Sequence, residues 1–339
     1  MYIVRHLARQ DKMMSESEIL QLVIPPHLAG QRLDQALAEL IPDYSRARLQ
    51  QWIKAGKVTI NGNSCRPRDK LRGNESIEVQ IEHEPQTTWL AEDVPLDIVY
   101  EDEAVIVINK PAGLVVHPGT GNHTGTLVNG LLHHDEKLIE VPRAGIVHRL
   151  DKDTTGLLVV ARTLAAHTQL VERLQARDVK REYETIVTGT MTAGGTVDEP
   201  MGRHPVHRTR MGVLVSGGKT AITHYRVKQR FRAHTHLQVN LETGRTHQIR
   251  VHMAHIRHPI VGDGVYGGRL RLPPKSSETM IEALRGFSRQ ALHAARLGFV
   301  HPSTGEEVEW SVPLPDDMQN LLAVLAEDHR QHQDEYDEY

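Results

Sequence analysis

Residues 144–161 read Ala144-Gly-Ile-Val-His148-Arg149-Leu150-Asp151-Lys152-Asp153-Thr154-Thr155-Gly156-Leu157-Leu-Val-Val-Ala161. An apolar stretch, Gly145 to Val147, leads into a polar cluster, and Leu157 to Ala161 leads out as a strand-type run. That pattern delivers Arg149, Asp151 and Asp153 onto a turn at the edge of a core. A carboxylate two residues from a guanidinium, framed by Thr154-Thr155-Gly156, suits a site that shields a charged group. A surface turn with a capping aspartate uses the same residue types, and spacing alone leaves both readings open.

The flanking sequence continues the alternation. Strand runs are predicted at Ile98 to Tyr100, Val105 to Ile108, Tyr183 to Val187, Thr223 to Val227, His236 to Leu241 and Val308 to Val312. Helical stretches fall near Leu127 to His134, His167 to Gln175 and Thr246 to His255. The mix predicts an α+β domain over 93–326 with a long mixed or antiparallel sheet. Upstream, residues 18–82 form a small α/β unit. Leu33, Ala36, Leu37, Leu40 and Ile41 share one helical stripe that Pro42 ends, and Ser45 caps a second helix with Leu49, Trp52 and Ile53 inward. A strand then runs into Asn61-Gly62, and Ser76 to Ile81 alternates as another. Residues 1–17 are expected to be a disordered leader, with Met13 or Met14 an alternative start. Residues 83–92 read as a linker and 327–339 as an acidic, disordered tail.

Composition bounds the function. The chain has 339 residues, 39% of them hydrophobic, with no apolar run of the roughly 20 residues that span a bilayer. The N-terminal residues lack a signal-peptide apolar region. The lone Cys65 excludes an internal disulfide, so a cytoplasmic setting is expected. The net charge of −3 is weighted by the tail, where six acids face only Arg330. The remainder has 39 basic and 37 acidic residues, so local patches must decide whether nucleic acid is a partner. One such patch is Arg32, Arg46, Arg48, Lys54 and Lys57 in the first unit.

Three further segments join the Asp151 turn: Asn109-Lys110-Pro111-Ala-Gly113 running to His117-Pro118, then Arg181-Glu182-Tyr183, then Gly244-Arg245-Thr246-His247-Gln248-Ile249-Arg250. Thr246 is expected to cap a helix carrying Ile249 and Arg250. Arg250 then falls in an apolar phase, where a guanidinium needs a carboxylate. His247, His252, His255 and His258 invite a metal reading, but no Cys pair, His-Glu-x-x-His or acidic cluster joins them, so no metal is expected.

In this order the four segments resemble the motifs of RluA-family pseudouridine synthases, above all His-Arg-Leu-Asp-x-x-Thr-Thr-Gly. Residues 18–82 resemble the S4 RNA-binding domain: Gln31-Arg32-Leu33-Asp34-x-x-Leu37, Ser45-Arg46 with Ile53, and Gly56-x-Val58-x-x-Asn61-Gly62. The resemblance implies a pseudouridine synthase catalytic domain behind an S4 (αL-type) domain, isomerising uridine to pseudouridine in RNA. It implies Asp151 as the catalytic carboxylate, paired with Arg250, and Tyr183 stacked on a flipped base. Arg149 would fill the vacated space, Ile249 would wall the pocket, and Lys110 would support substrate binding. The S4 face would hold phosphates. Val141-Pro-Arg-Ala-Gly145 and Val261-Gly-Asp-x-Val-Tyr266-Gly-Gly268 place the likeness nearest to members acting on large-subunit rRNA, free or in an assembling 50S subunit. The substrate implied is the helix 69 hairpin loop. No cofactor is expected, since an isomerisation needs no redox or group donor, and a monomer is expected. Whether Asp151 attacks the sugar or initiates glycal formation stays open. A family member acting on another rRNA or tRNA site, a non-catalytic S4-type RNA-binding protein, and a hydrolase using Asp151 with Asp153 are the competing readings. The glycosidase variant suffers because two carboxylates two residues apart cannot flank a bond.

Overall fold

A computed structural model describes residues 4–7, 17–41, 46–82, 89–119, 121–207 and 209–337. The chain divides into two compact units, Met1–Thr88 and Trp89–Tyr339.

The first unit holds β1 (Val4–Leu7), β2 (Ser17–Val23), α1 (Leu33–Leu40), α2 (Arg46–Lys54), β3 (Val58–Ile60), β4 (Asn63–Ser64) and β5 (Ser76–Glu82). Its antiparallel sheet runs β1-β2-β5-β3-β4. Leu33, Ala36 and Leu37 of α1 bury with Leu49, Trp52 and Ile53 of α2 against Ile77 and Val79, as the stripe predicts. Asn61 and Gly62 both take positive φ, the requirement of a two-residue type I′ hairpin. The expected leader is partly structured: Val4 to Leu7 pair with Gln21 to Glu18, because β2 would otherwise present an open edge. Pro42, Ser45, Met13 and Met14 lie outside the described residues.

The second unit holds β6 (Ile98–Glu101), β7 (Val105–Lys110), α3 (Leu127–His134), β8 (Thr155–Ala161), α4 (Leu164–Ala176), β9 (Lys180–Thr188), β10 (Gly195–Asp198), β11 (Met201–Arg203), β12 (Met211–Val213), β13 (Ile222–Arg230), β14 (His234–Leu241), α5 (Gln248–His255), α6 (Glu278–Gly286), β15 (Leu292–Val300), β16 (Glu307–Ser311) and α7 (Asp316–Asp337). Nine strands form one mixed sheet, β10-β13-β14-β9-β15-β8-β7-β6, with β16 on the outer half of β15. β8 and β15 run parallel, and the other pairs are antiparallel. β7 is apolar at every step from Val105 to Ile108, and β8 from Leu157 to Ala161, because both faces are covered there. Ile106, Ile108, Leu158 and Val160 pack toward α3 and α7. Val105, Val107, Leu157 and Val159 pack toward α4 and Phe299.

Two boundaries differ from the sequence reading. Residues 89–92 belong to this unit rather than to a linker. Asn129 donates from Nδ2 to the Leu90 carbonyl at 2.7 Å and accepts at its own carbonyl from the Glu92 N–H, while Trp89 meets His117 edge-on. The acidic tail is helical through Asp337, as the end of α7. Asp328 is buried because Arg232 grips both its oxygens, at 2.8 and 2.9 Å, so one of the six acids is an internal partner rather than a solvated charge.

Candidate active site

The Asp151 turn sits where β8 begins, beside the centre of the sheet. Gly156 takes φ +106°, and a Cβ there would lie 2.2 Å from the Ala294 carbonyl oxygen, so only glycine lets β8 close on β15. The turn is tied from three directions. Thr154 N–H donates to the Asp151 carbonyl at 3.1 Å. Gln290 Nε2 donates to Thr154 Oγ1 at 3.0 Å, and Arg289, itself forked onto Asp317, reaches the Asp153 carbonyl at 3.3 Å.

Lys110 supplies the third tie, and its place differs from the expected one. It is fully buried, donating from Nζ to the carbonyls of Pro111 (2.7 Å), Leu114 (2.9 Å) and Lys152 (2.8 Å). Burial pushes its ammonium down to about 8, against the pull of Asp153 and Asp151. With all three donors spent on backbone, Lys110 braces the turn and has no face toward a substrate.

Asp151 opens into a cleft of about 1050 Å³ whose walls include Arg149, Tyr183, Arg181, His247, Ile249 and Arg250. Tyr183 comes from β9, paired with Ala294 on one side and Val239 on the other. Only 6% of it is exposed, and burial pushes its phenol up. Arg149 is exposed at the rim, while Ile249 is buried in the wall. Behind the turn, His148 is driven down to about 3 by burial and the Arg181 charge. Its Nε2 therefore accepts the Val159 N–H at 3.2 Å as a neutral ring.

Ile249 and Arg250 are presented by α5. Its start is not capped by Thr246, as expected. His247 precedes the helix in the left-handed region, φ 57°, and offers no side-chain cap. Gln248 closes the turn instead: its Oε1 accepts from Arg245 N–H (3.0 Å) and Thr243 Oγ1 (2.8 Å), and its Nε2 donates to the Ile222 carbonyl and Thr223 Oγ1.

Arg250 carries the electrostatics of the site. Its Nη1 donates to Asp151 Oδ2 at 2.9 Å, as expected. The sequence reading missed the stronger partner. Nε and Nη2 fork onto the two oxygens of Asp263 at 2.7 and 2.9 Å, and the guanidinium lies 5.0 Å over the Tyr266 ring. Burial opposes charge on both groups, but the pair overrides it, holding Asp263 below and Arg250 above their ordinary ranges. The N–H groups of Val265 and Tyr266 add two bonds to Asp263 Oδ1. Asp263 is thus saturated, whereas Asp151 accepts one arginine bond on Oδ2 and has Oδ1 3.8 Å from His247 Nε2. The signal available in sequence was Gly262-Asp263 followed by Tyr266, thirteen residues after a buried arginine.

The histidine cluster does not converge. His252 is buried, its Nδ1 facing Thr223 Oγ1 and its Nε2 the Glu199 carbonyl, while His247 faces Asp151 and Tyr266. Among the described residues no three His, Cys, Asp or Glu side chains gather as a metal-binding set.

In the first unit, Arg32 and Arg46 both fork onto the buried Asp34, with Gln50 as a further donor at 2.5 Å. Arg48 lies over Trp52, 5.5 Å from the ring centre, and Lys54 is exposed. Lys57 is half-buried at the start of β3. Arg46 and Gln50 therefore hold α2 to α1 through Asp34, while Arg32 ties Asp34 to the residue that precedes α1.

Comparison with known proteins agrees with this geometry. Residues 104–255 match the RNA pseudouridylate synthase family and residues 31–77 the S4 domain. Proteins named ribosomal large subunit pseudouridine synthase D are similar over most of their length. That of Xanthomonas campestris pv. campestris is 56% identical over 92% of this chain and 94% of its own. That of Pseudomonas aeruginosa is 58% identical over 90% and 95%, and that of Escherichia coli 55% over 96% and 99%. Among solved structures, human RNA pseudouridylate synthase domain containing 4 superposes with a TM-score of 0.53 at 28% identity, covering 68% of this chain and 92% of that one. With relatives this similar across nearly the full length, and with the Asp151, Tyr183 and Arg250 segments converging on one cleft, the chain belongs to the RNA pseudouridine synthase family.

Proposed function

We propose that this enzyme isomerises uridines of large-subunit rRNA, in the helix 69 hairpin loop, using Asp151 as the reacting carboxylate. The observation that carries the reading is Asp151 itself: one oxygen held by Arg250 at 2.9 Å, the other facing a cleft walled by Tyr183 and Ile249. A uridine must leave its stack to reach that oxygen, at a cost of a few kcal/mol. The flipped base stacks on Tyr183, Ile249 closes the pocket, and Arg149 at the exposed rim takes the vacated place. The C1′–N1 bond breaks with Asp151 either bonded to C1′ or taking the proton that yields a glycal. The uracil turns, C5 joins C1′, C5 gives up its proton and N1 gains one. Nothing is oxidised or transferred out of the nucleotide, and no cofactor enters.

The basic face of the first unit positions the RNA through phosphate contacts, and the cleft reads the base. The relatives' shared name supports large-subunit rRNA as the substrate. No helix among the described residues is long and apolar enough to cross a membrane, and we take the enzyme to act as a cytoplasmic monomer, on free rRNA or on the assembling subunit.

Asp151→Asn keeps shape but not charge. Tritium release from C5-labelled uridine in rRNA should fall at least about a hundred-fold while RNA affinity holds. A smaller loss removes Asp151 from the chemistry. Carbodiimide mapping of rRNA from a deletion strain tests the site, and unmodified uridines outside helix 69 would redirect the assignment.

A further inference from the structure

His247 lies against the reacting carboxylate, and its surroundings define which ring nitrogen carries the proton. The Tyr266 hydroxyl accepts the Met211 N–H of β12 at 3.0 Å. It keeps one hydrogen to give, and His247 Nδ1 stands 2.8 Å away. A phenol that accepts from an amide and donates to Nδ1 satisfies both groups, and it leaves the imidazole hydrogen on Nε2. Nε2 faces Asp151 Oδ1 at 3.8 Å, on the oxygen Arg250 leaves free. Burial and the charges of Arg250 and Arg149 favour the neutral ring, against Asp151 and Asp263.

A second observation comes from the backbone. His247 is held at φ 57°, a conformation glycine adopts freely and a histidine only at a cost. That twist ends the loop after β14 one residue before α5, where the ring stands beside Asp151.

We infer that His247 is a positioning residue for the known reaction: a neutral Nε2–H donor, its tautomer set by Tyr266, that orients Asp151 Oδ1 toward the flipped nucleotide. The inference rests on the reading of Asp151 as the reacting carboxylate. Arg250 and His247 then hold the two oxygens from different sides, so the carboxylate cannot rotate about its Cβ–Cγ bond. The gap of 3.8 Å shortens to hydrogen-bonding distance when the cleft fills, as such contacts do on forming the substrate complex.

Four variants of the full chain, assayed by single-turnover tritium release and by RNA affinity, test this. His247→Asn accepts the left-handed backbone but ends at the Nδ1 position. It should lose roughly 10- to 100-fold in rate, the size of one hydrogen bond to a charged group, with affinity within about two-fold. His247→Gln places an amide N–H near the Nε2 position and should recover most of that loss. Tyr266→Phe keeps the ring under Arg250 and should slow the reaction several-fold without changing affinity. Asp151→Asn is the control. Equal activity of His247→Asn and wild type, a loss lying wholly in affinity, or failure of glutamine to outperform asparagine each overturns the role of His247. An active Asp151→Asn instead overturns the reading of Asp151.

Discussion

Asp263→Ala should damage the enzyme more than its distance from the cleft suggests. Asp263 accepts two bonds from Arg250 and two from backbone N–H groups. Removing it leaves a buried guanidinium whose remaining carboxylate, Asp151, is needed elsewhere. Breaking a buried pair in this way costs about 3–5 kcal/mol. For a unit of this size, each kcal/mol moves the midpoint by roughly 2–4 °C, so melting should fall by roughly 6–20 °C. Turnover should fall further than stability explains, because Arg250 would rotate onto both oxygens of Asp151 and draw Oδ1 out of the cleft. A double-mutant cycle separates the two effects. Arg250→Met alone strands Asp263, and the double variant strands neither, so it should be more stable than the sum of the single losses implies. Urea unfolding followed by circular dichroism gives the three free energies. Additive losses would refute the pairing as the source of the stability, and full turnover in Asp263→Ala would refute the claim that it steers Asp151.

Lys110→Met should cost on the order of 2–4 kcal/mol by stranding three carbonyls, and should lower turnover without weakening RNA binding, since Lys110 donates only to backbone of its own loop and of the turn. Weakened RNA affinity at full turnover would instead return Lys110 to the substrate. In the first unit, burial raises the Asp34 carboxyl, but the Arg32, Arg46 and Gln50 bonds prevail and bring it to about 2, below its ordinary 3.8. Its stabilisation is therefore complete above 3.8 and is lost as pH falls through about 2. Trp52 fluorescence in a Trp89→Phe, Trp310→Phe chain should report acid unfolding in that window, and Asp34→Asn should flatten it. An unchanged pH profile in Asp34→Asn would dissociate the cluster from acid stability.

Much of this was legible from residue pattern. The runs at β7, β8, β9, β13, β14 and β16 are β-branched or alternating, and each forms a strand. The exception is informative. β15, Leu292-His-Ala-Ala-Arg-Leu-Gly-Phe-Val300, is rich in helix formers, yet it lies between β9 and β8 at the middle of the sheet. Its conformation is imposed by neighbours, a tertiary effect that no local propensity encodes. α6 and α7 were missed although Met280 and Leu284, and Met318, Leu321 and Leu325, recur at helical spacing, and these residues bury only once the sheet exists. At the site, Arg250 advertised its need for a carboxylate by sitting in an apolar phase. That it needed two did not show, because the second lies across a turn with no periodic relation to the helix.

The number of bonds on each carboxylate separates the proposed reacting group, Asp151, from Asp263. Both Asp151 and Asp263 are tied to Arg250, so proximity to the guanidinium cannot distinguish them. Asp263 spends its oxygens on four hydrogen bonds and is buried, so attack from it would mean breaking that set inside the core. Asp151, which lines the cleft, spends one oxygen on a single bond from Arg250 Nη1. In the proposed mechanism a single arginine thus fixes the position of the reacting carboxylate while occupying only one of its oxygens. Asp263 keeps that arginine from closing on Asp151 with both arms. Lys110 and Arg289 hold the backbone of the turn and Gln290 holds its Thr154 hydroxyl, which opposes collapse of the turn onto the carboxylate. The site is therefore preorganised by polar contacts made elsewhere, and the carboxylate left with fewer partners is the one the proposed mechanism offers to the flipped nucleotide.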